Sequence, residues 1–214
     1  MYRLVIGNKA YSSWSLRPWL LMRHAGIAFE EVKLSLYRPD AKQALLSHSG
    51  AGKVPVLHDG GETLWDSLAI AEYLAERHPD RRLWPADAVA RAQARCVSAE
   101  MHSGFSNLRS QMPMNVRRRI PRQPGPEAAA DIARIQAIWS DCRGRFGAGG
   151  PFLFGAFSIA DAMYAPVASR FQTYGVELAE PARAYAQVLL ALPAFQAWVA
   201  DANAETEVNP QYEA

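Results

Sequence analysis

Three serines stand together near the start of the chain, in Tyr11-Ser12-Ser13-Trp14-Ser15-Leu16-Arg17. A serine hydroxyl can attack as a nucleophile when a base activates it, or donate a hydrogen bond to an anion. No histidine lies close in sequence to activate Ser12, and His24 falls two to three turns further on. The donor role is therefore the one expected, and Ser12, Ser13 and Ser15 compete for it. All three serines also suit a loop or a helix N-cap. A second group lies in Gly52-Lys53-Val54-Pro55-Val56-Leu57 and in the following Trp65-Asp66-Ser67-Leu68-Ala69-Ile70. Proline removes a ladder donor and is poorly tolerated inside a sheet. Val54 can offer its own N–H and C=O to an added peptide strand, although Pro55 also suits an ordinary edge strand. The Ser67 hydroxyl and the N–H groups of a helix start suit a carboxylate, and Asp66 suits an amine. Lys53 suits a second carboxylate or plain solvent. Together these residues could hold a small peptide by its main chain and its charged end.

The elements that must position these groups follow from periodicity. Leu4-Val5-Ile6 is a short buried strand ending at Gly7-Asn8. Leu16 to His24 is helical, with Pro18 in its first turn and Gly26 ending it. Phe29 to Leu34 alternates as a strand, and Ala41 to Leu46 is a short helix. Pro55 to His58 and Thr63 to Trp65 flank the turn Asp59-Gly60-Gly61 as a hairpin. Ser67 to Arg77 is a helix with an apolar stripe of Leu68, Ile70, Ala71 and Leu74. The order β-α-β-α-β-β-α is that of a thioredoxin-like fold.

A linker with Pro79, Leu83-Trp84 and Pro85 follows, and Trp84 could wedge between the two halves. Every later segment reads as helix. One long helix is expected from near Asp87, with Val97, Met101, Phe105, Leu108 and Met112 on one face and Pro113 ending or bending it. Glu127 to Phe146, a helix headed by the capping box Ser158 to Asp161, and two shorter helices at Pro181 to Leu192 and Pro193 to Ala202 complete it. The fold class is thus an α/β N-terminal thioredoxin-like domain plus an all-α C-terminal helical bundle. Its expected boundaries are 1–79, a linker at 80–86, and 87–214. The polar tail after Asn203 is expected on the surface.

Bulk composition excludes several partners. The chain has 214 residues, half of them hydrophobic and 21% charged, with a net charge of +2. Such a balance gives no electrostatic reason to expect nucleic acid or a membrane surface. The basic cluster Arg117-Arg118-Arg119 with Arg122 reads as a solvated loop. No run has the ~20 apolar residues of a membrane span, and Arg3, Lys9, Arg17 and Arg23 interrupt any signal-peptide core. Cys96 and Cys142 fall in helical patterns and read as buried or half-buried thiols rather than a disulfide. A cytoplasmic protein without a metal is the expectation.

The order and spacing of the Val54-Pro55 strand, the Asp66-Ser67 helix start, the linker and the helical half resemble the soluble glutathione S-transferases. Ser12 stands five residues before Arg17, which is similar to the serine-type loop of the zeta and tau classes. The chain departs from the zeta pattern at Trp14, where that class has cysteine. The loop also lacks the cysteine nucleophile of the omega class. The resemblance implies glutathione as co-substrate, a homodimer, and a role in detoxification. It implies Ser12, favoured by that spacing, and after it Ser13 as catalytic residue, and Lys53, Val54, Pro55, Asp66 and Ser67 as glutathione contacts. The implied pocket for a small apolar electrophile draws on Trp14, Met101, His102, Phe105 and Met112, with Met114 nearby, although the methionines suit a helix-bundle core as well and Met101 and Phe105 suit it better.

The chemistry so implied is feasible. A free thiol has a pKa of about 8.5, and a shift of roughly two units needs about 2.7 kcal/mol. One hydroxyl donating to a charged sulfur supplies about 1.5–3 kcal/mol. A helix N-terminus adds ~0.3–2 kcal/mol. The leading expectation is conjugation of the thiolate to the electrophile. The alternatives are a zeta-type glutathione-dependent cis-trans isomerase and a non-catalytic binding or regulatory protein on the same fold.

Overall fold

The computed structural model describes residues 1–213. The first half holds β1 (Tyr2–Ile6), α1 (Ser13–Ala25), β2 (Phe29–Lys33), α2 (Ala41–His48), β3 (Val56–Asp59), β4 (Glu62–Trp65) and α3 (Ser67–Arg77). The sheet order is β2-β1-β3-β4, with β1 and β2 parallel and the other pairs antiparallel. In the register, Val5 faces Val56 and Leu4 faces Leu57, all fully buried. These central strands are buried on both faces, and α1 and α3 pack together on the sheet against Leu4, Ile6 and Leu57. This is the thioredoxin-like half.

Helix α1 begins at Ser13, three residues before the apolar pattern suggests. Ser12 is its N-cap, and its hydroxyl oxygen accepts from the Ser15 N–H at 3.4 Å. The cap extends the helix into the serine loop, where no apolar residue could mark it. At the other end Gly26 takes the left-handed conformation (φ 66°) and its N–H returns to the last turn.

The helical half holds α4 (Ala88–Ser103), α5 (Ser106–Gln111), α6 (Pro126–Phe146), α7 (Ile159–Tyr174), α8 (Ala182–Ala191) and α9 (Pro193–Asn203). Helix α7 is its axis, buried on nearly every face, and it packs against both α1 and α4. Its head is fixed by Asp161, which accepts from the N–H groups of Ser158 (2.8 Å) and Leu153 (3.1 Å) and from the Tyr185 hydroxyl (2.9 Å). Trp84 seals the junction of the halves, donating from Nε1 to Glu72 on α3 at 2.9 Å.

Two expectations are corrected and a third gains detail. The long helix from Asp87 is broken: Gly104 leaves the helix and Phe105 sits at φ 56° before α5 starts. A Cβ on Gly104 would lie 2.7 Å from the Glu100 carbonyl oxygen, so only glycine permits this exit. Cys96 is exposed, whereas Cys142 is buried and burial pushes its thiol up to about 12. The tail after Asn203 lies on the surface, with no residue from 204 to 213 buried, but it is tied down. It returns to the first half, and the Glu205 side chain there is only 3% exposed.

Candidate active site

Two adjoining cavities open where the halves meet. One, of about 600 Å³, is lined by Lys53, Val54, Pro55, Asp66, Ser67 and His102 among others. The second, of about 450 Å³, is lined by Tyr11, Ser12, Ser13, Pro113, Met114, Arg109, Arg170 and Tyr212 among others. Trp14, Lys53 and Val54 face both, so the indole stands on the ridge between them. A hollow of about 570 Å³ elsewhere, beside Phe171 and Leu190, holds none of the candidate residues.

The first cavity is built from the β3–β4 hairpin and the head of α3. The Val54–Pro55 peptide is cis. Asp66 sits at φ 77° as N-cap of α3, and its Oδ1 accepts from the N–H groups of Leu68 (2.9 Å) and Ala69 (3.2 Å). Its Oδ2 lies 3.0 Å from His102 Nε2 on α4, a bridge between the two halves. The Ser67 hydroxyl accepts from Arg17 Nη1 at 3.5 Å. A capping carboxylate that also meets His102 has fewer lone pairs left for a ligand amine than one that only caps.

The second cavity centres on the head of α1. Its serines are not equivalent. The Ser12 hydroxyl donates to Ser15 Oγ at 2.8 Å, and Ser15 Oγ accepts from the Gly7 N–H at 3.0 Å. Ser13 Oγ instead accepts from Arg170 Nη2 at 3.2 Å. A hydroxyl that accepts from a cation keeps its own proton for another acceptor. The Ser12 proton is committed inside the loop; the Ser13 proton is not.

Around these hydroxyls the field is positive. Arg17 and Arg170 are both fully buried, at 2% and 3% exposure. Burial, and then repulsion from Arg170 and Arg109, lowers the Arg17 guanidinium to about 9. Burial, and then Arg109, lowers Arg170 to about 10. Arg170 rests on the carbonyls of Met112 (2.9 Å) and Pro166 (3.3 Å), neutral acceptors that leave its charge uncompensated. Trp14 supplies the counterweight: Arg17 lies 4.2 Å and Arg109 5.5 Å from its ring centroid, and His102 meets its edge at 5.3 Å. Each such contact contributes about 0.5–2 kcal/mol, far less than a buried carboxylate partner. The cavity is thus prepared for an anion.

Residues 11–77 match the family model of the glutathione S-transferase N-terminal domain, and residues 125–201 that of the glutathione S-transferase C-terminal domain. The chain belongs to the glutathione S-transferase family. Among relatives, this glutathione S-transferase is 29% identical to the maleylacetoacetate isomerase of Rattus norvegicus over 86% of this chain and 85% of that one. It is 38% identical to the probable maleylacetoacetate isomerase of Caenorhabditis elegans, over 45% and 44% of the two chains. With the isomerase of Pseudomonas aeruginosa it shares 32% identity over 51% and 53%. The match to the latter two thus spans about half their length. In fold it resembles a glutathione transferase homolog from Burkholderia solved with bound glutathione, with a TM-score of 0.70 at 24% identity over 96% of this chain and 99% of that one.

Of the residues singled out in this glutathione S-transferase, Ser12, Ser13, Trp14, Lys53, Val54, Pro55, Asp66, Ser67 and His102 meet at the paired cavities. Met101, Phe105 and Met112 do not. Met101 and Met112 are fully buried and Phe105 is 8% exposed, all in the core behind the cavity wall. Their helical spacing marks a core face, which periodicity cannot tell from a pocket face. Arg109, Arg170 and Tyr212 were not anticipated. Arg170 carried a signal: it is the one charged residue in the apolar stretch from Ala162 to Phe171. Among the described residues no cluster of His, Cys, Asp and Glu could hold a metal, and no helix is long and apolar enough to cross a membrane.

Proposed function

We propose that the chain binds glutathione across the two cavities and adds its thiolate to an electrophile that carries a carboxylate. The observation that carries this reading is Arg170, buried behind Ser13 on neutral acceptors alone, with Arg109 lining the same cavity. Val54 offers its main chain to the cysteinyl residue, Ser67 and the α3 head take the γ-glutamyl carboxylate, and Asp66 faces the amine. Lys53 is placed for the glycyl carboxylate. The Ser13 hydroxyl, with Arg170 behind it, donates to the sulfur and favours the anion. The proton leaves to solvent, so no general base is needed. Arg109 and Arg170 then hold the acceptor's carboxylate. This replaces the wholly apolar acceptor expected above with one that is flat and unsaturated at one end and anionic at the other.

Addition forms a C–S bond while the π electrons of the acceptor move to its carbonyl oxygen as an enolate. Protonation of the enolate completes conjugation. Rotation about the former C=C bond, single after addition, followed by return of the electrons from the enolate and expulsion of the thiolate, completes a cis-trans isomerisation with glutathione regenerated. The arginines and the isomerase names of the relatives favour the second outcome. The experiment is incubation with glutathione and a cis-dienone carboxylate, following both dienone geometry and free thiol. Isomerisation without thiol loss selects the isomerase, and thiol loss selects conjugation. If immobilised glutathione fails to retain the protein, both are wrong and a non-catalytic role on this fold stands.

A further inference from the structure

The loop from Gly7 to Ser12, which presents the serines, is held largely by the far end of the chain. Its Lys9 and Ala10 N–H groups donate to the two carboxylate oxygens of Glu205, at 2.8 and 3.0 Å. Its Lys9 carbonyl accepts from Trp198 Nε1 at 2.8 Å. Asn8 donates from its side chain to Glu207. Tyr11, directly before Ser12, donates from its hydroxyl to Glu213 at 2.6 Å and accepts from the Asn209 N–H at 3.1 Å. Arg117 clasps the same hydroxyl and the carbonyls of Glu205 (3.0 Å) and Glu207 (3.1 Å). The basic cluster therefore begins with an anchor and not with a solvated arginine. Tyr212 packs its ring on Tyr11, 5.4 Å between centroids, and lines the cavity with Ser12 and Ser13.

We propose that residues 204–213 are a strap belonging to the active site, in which Glu205 positions the serine loop and Tyr212 determines which acceptor fits. The proposal rests on the thiolate-addition reading for the identity of the acceptor, but the loop contacts do not depend on it. Without Glu205 no other described residue reaches the Lys9 and Ala10 N–H groups, which are left to water while the Trp198, Asn8 and Tyr11 contacts remain. The Ser13 hydroxyl is then no longer held at a fixed distance from the sulfur, and misplacements of about 1 Å cost up to ~10²-fold in rate. Tyr212 with Tyr11 and Tyr37 makes an aromatic rim above the Arg109–Arg170 floor. Such a rim takes the flat unsaturated end of an acid whose carboxylate rests on the arginines.

The test uses Glu205→Gln and Tyr212→Ala in the full chain, with a chain ending at Asn203 as a third form. Glutamine keeps the shape of Glu205 but turns a donor toward one of the two N–H groups. The expected result for Glu205→Gln is amide exchange at Lys9 to Ser13 faster by about tenfold or more, with kcat lowered about tenfold and the glutathione Kd within about twofold. For Tyr212→Ala, KM for the dienone carboxylate rises about tenfold while kcat and the glutathione Kd hold. Unchanged loop exchange in Glu205→Gln, or unchanged KM in Tyr212→Ala, overturns the proposal. If the shortened chain does not fold, the two point variants decide. Absence of glutathione binding by the unaltered protein sinks the functional reading instead, and the loop exchange still judges the strap.

Discussion

The unequal hydrogen bonding of Ser12 and Ser13 gives a sharp expectation about which hydroxyl controls the thiol. On the proposed reading the sulfur loses, in Ser13→Ala, a donor whose oxygen is backed by Arg170 at 3.2 Å. A hydrogen bond to a charged acceptor contributes about 1.5–3 kcal/mol, and 1.36 kcal/mol corresponds to roughly one pKa unit. The thiol of bound glutathione is therefore expected to rise by about one to two units in Ser13→Ala. At a pH where about half of it is ionised in the unaltered protein, the thiolate fraction falls to about one tenth or less. Ser12→Ala should act differently. Its hydroxyl proton is engaged with Ser15 at 2.8 Å, and its oxygen caps α1. Losing the cap costs about 0.5–2 kcal/mol of stability and leaves the thiol within about half a unit of its starting value. The assay is a spectrophotometric pH titration of the bound thiolate for each variant, paired with urea unfolding. A rise above one unit in Ser12→Ala with none in Ser13→Ala refutes the assignment. No rise in either, or in the double variant, refutes serine stabilisation of the thiolate altogether.

Other outcomes follow from the same geometry. Arg109→Gln should raise KM for a carboxylate acceptor by about ten- to hundredfold, the equivalent of about 1.5–3 kcal/mol, and leave a neutral aryl acceptor within about twofold; equal losses for both acceptors contradict an anion floor. Asp161→Ala strands the Leu153 and Ser158 N–H groups and the Tyr185 hydroxyl, and should lower the unfolding free energy by about 3 kcal/mol or more, measured by urea denaturation. Burial pushes the Glu213 carboxyl up, but donation from Tyr11, Arg118 and Asn115 outweighs it and the net shift is downward from the ordinary 4.5. A lowered acid contributes stability that is present above its unfolded value and lost as pH falls through the folded one. Stability should therefore drop as pH falls below 4.5, and Glu213→Gln should flatten that limb of the unfolding curve.

Much of the fold was legible in order along the chain. The strand Leu4-Val5-Ile6, the hairpin about Asp59-Gly60-Gly61 and the helix Ser67–Arg77 all lie where local pattern places them, because each signal sits within a few residues of its effect. The broken helix shows the limit. Gly104 was visible, but apolar spacing continued across it, and the new start at α5 is fixed by Asp131 on α6 accepting the Leu108 N–H at 2.9 Å. A cap supplied by another helix leaves no local mark.

The candidate site divides in the same way. The sequence by itself determined the two chemical groups, the serines ahead of Arg17 and the Val54-Pro55 strand with Asp66-Ser67, since their spacing along one chain fixes which loop and which helix head carries them. The family spacing put Ser12 ahead of Ser13, whereas the hydrogen bonding that favours Ser13 depends on Arg170, 157 residues away. Helical spacing could not separate Met101 and Met112, in the core, from Met114, at the cavity, for it gives a face and not what the face meets. The charge of the floor and the hold on the loop were decided only in three dimensions. Arg170 is an isolated charge on an apolar helix until α7 lies behind Ser13, and Glu205 is one more surface acid until the tail folds back to the Lys9 and Ala10 N–H groups. Polar partners satisfy one another by distance in space, which sequence separation does not encode.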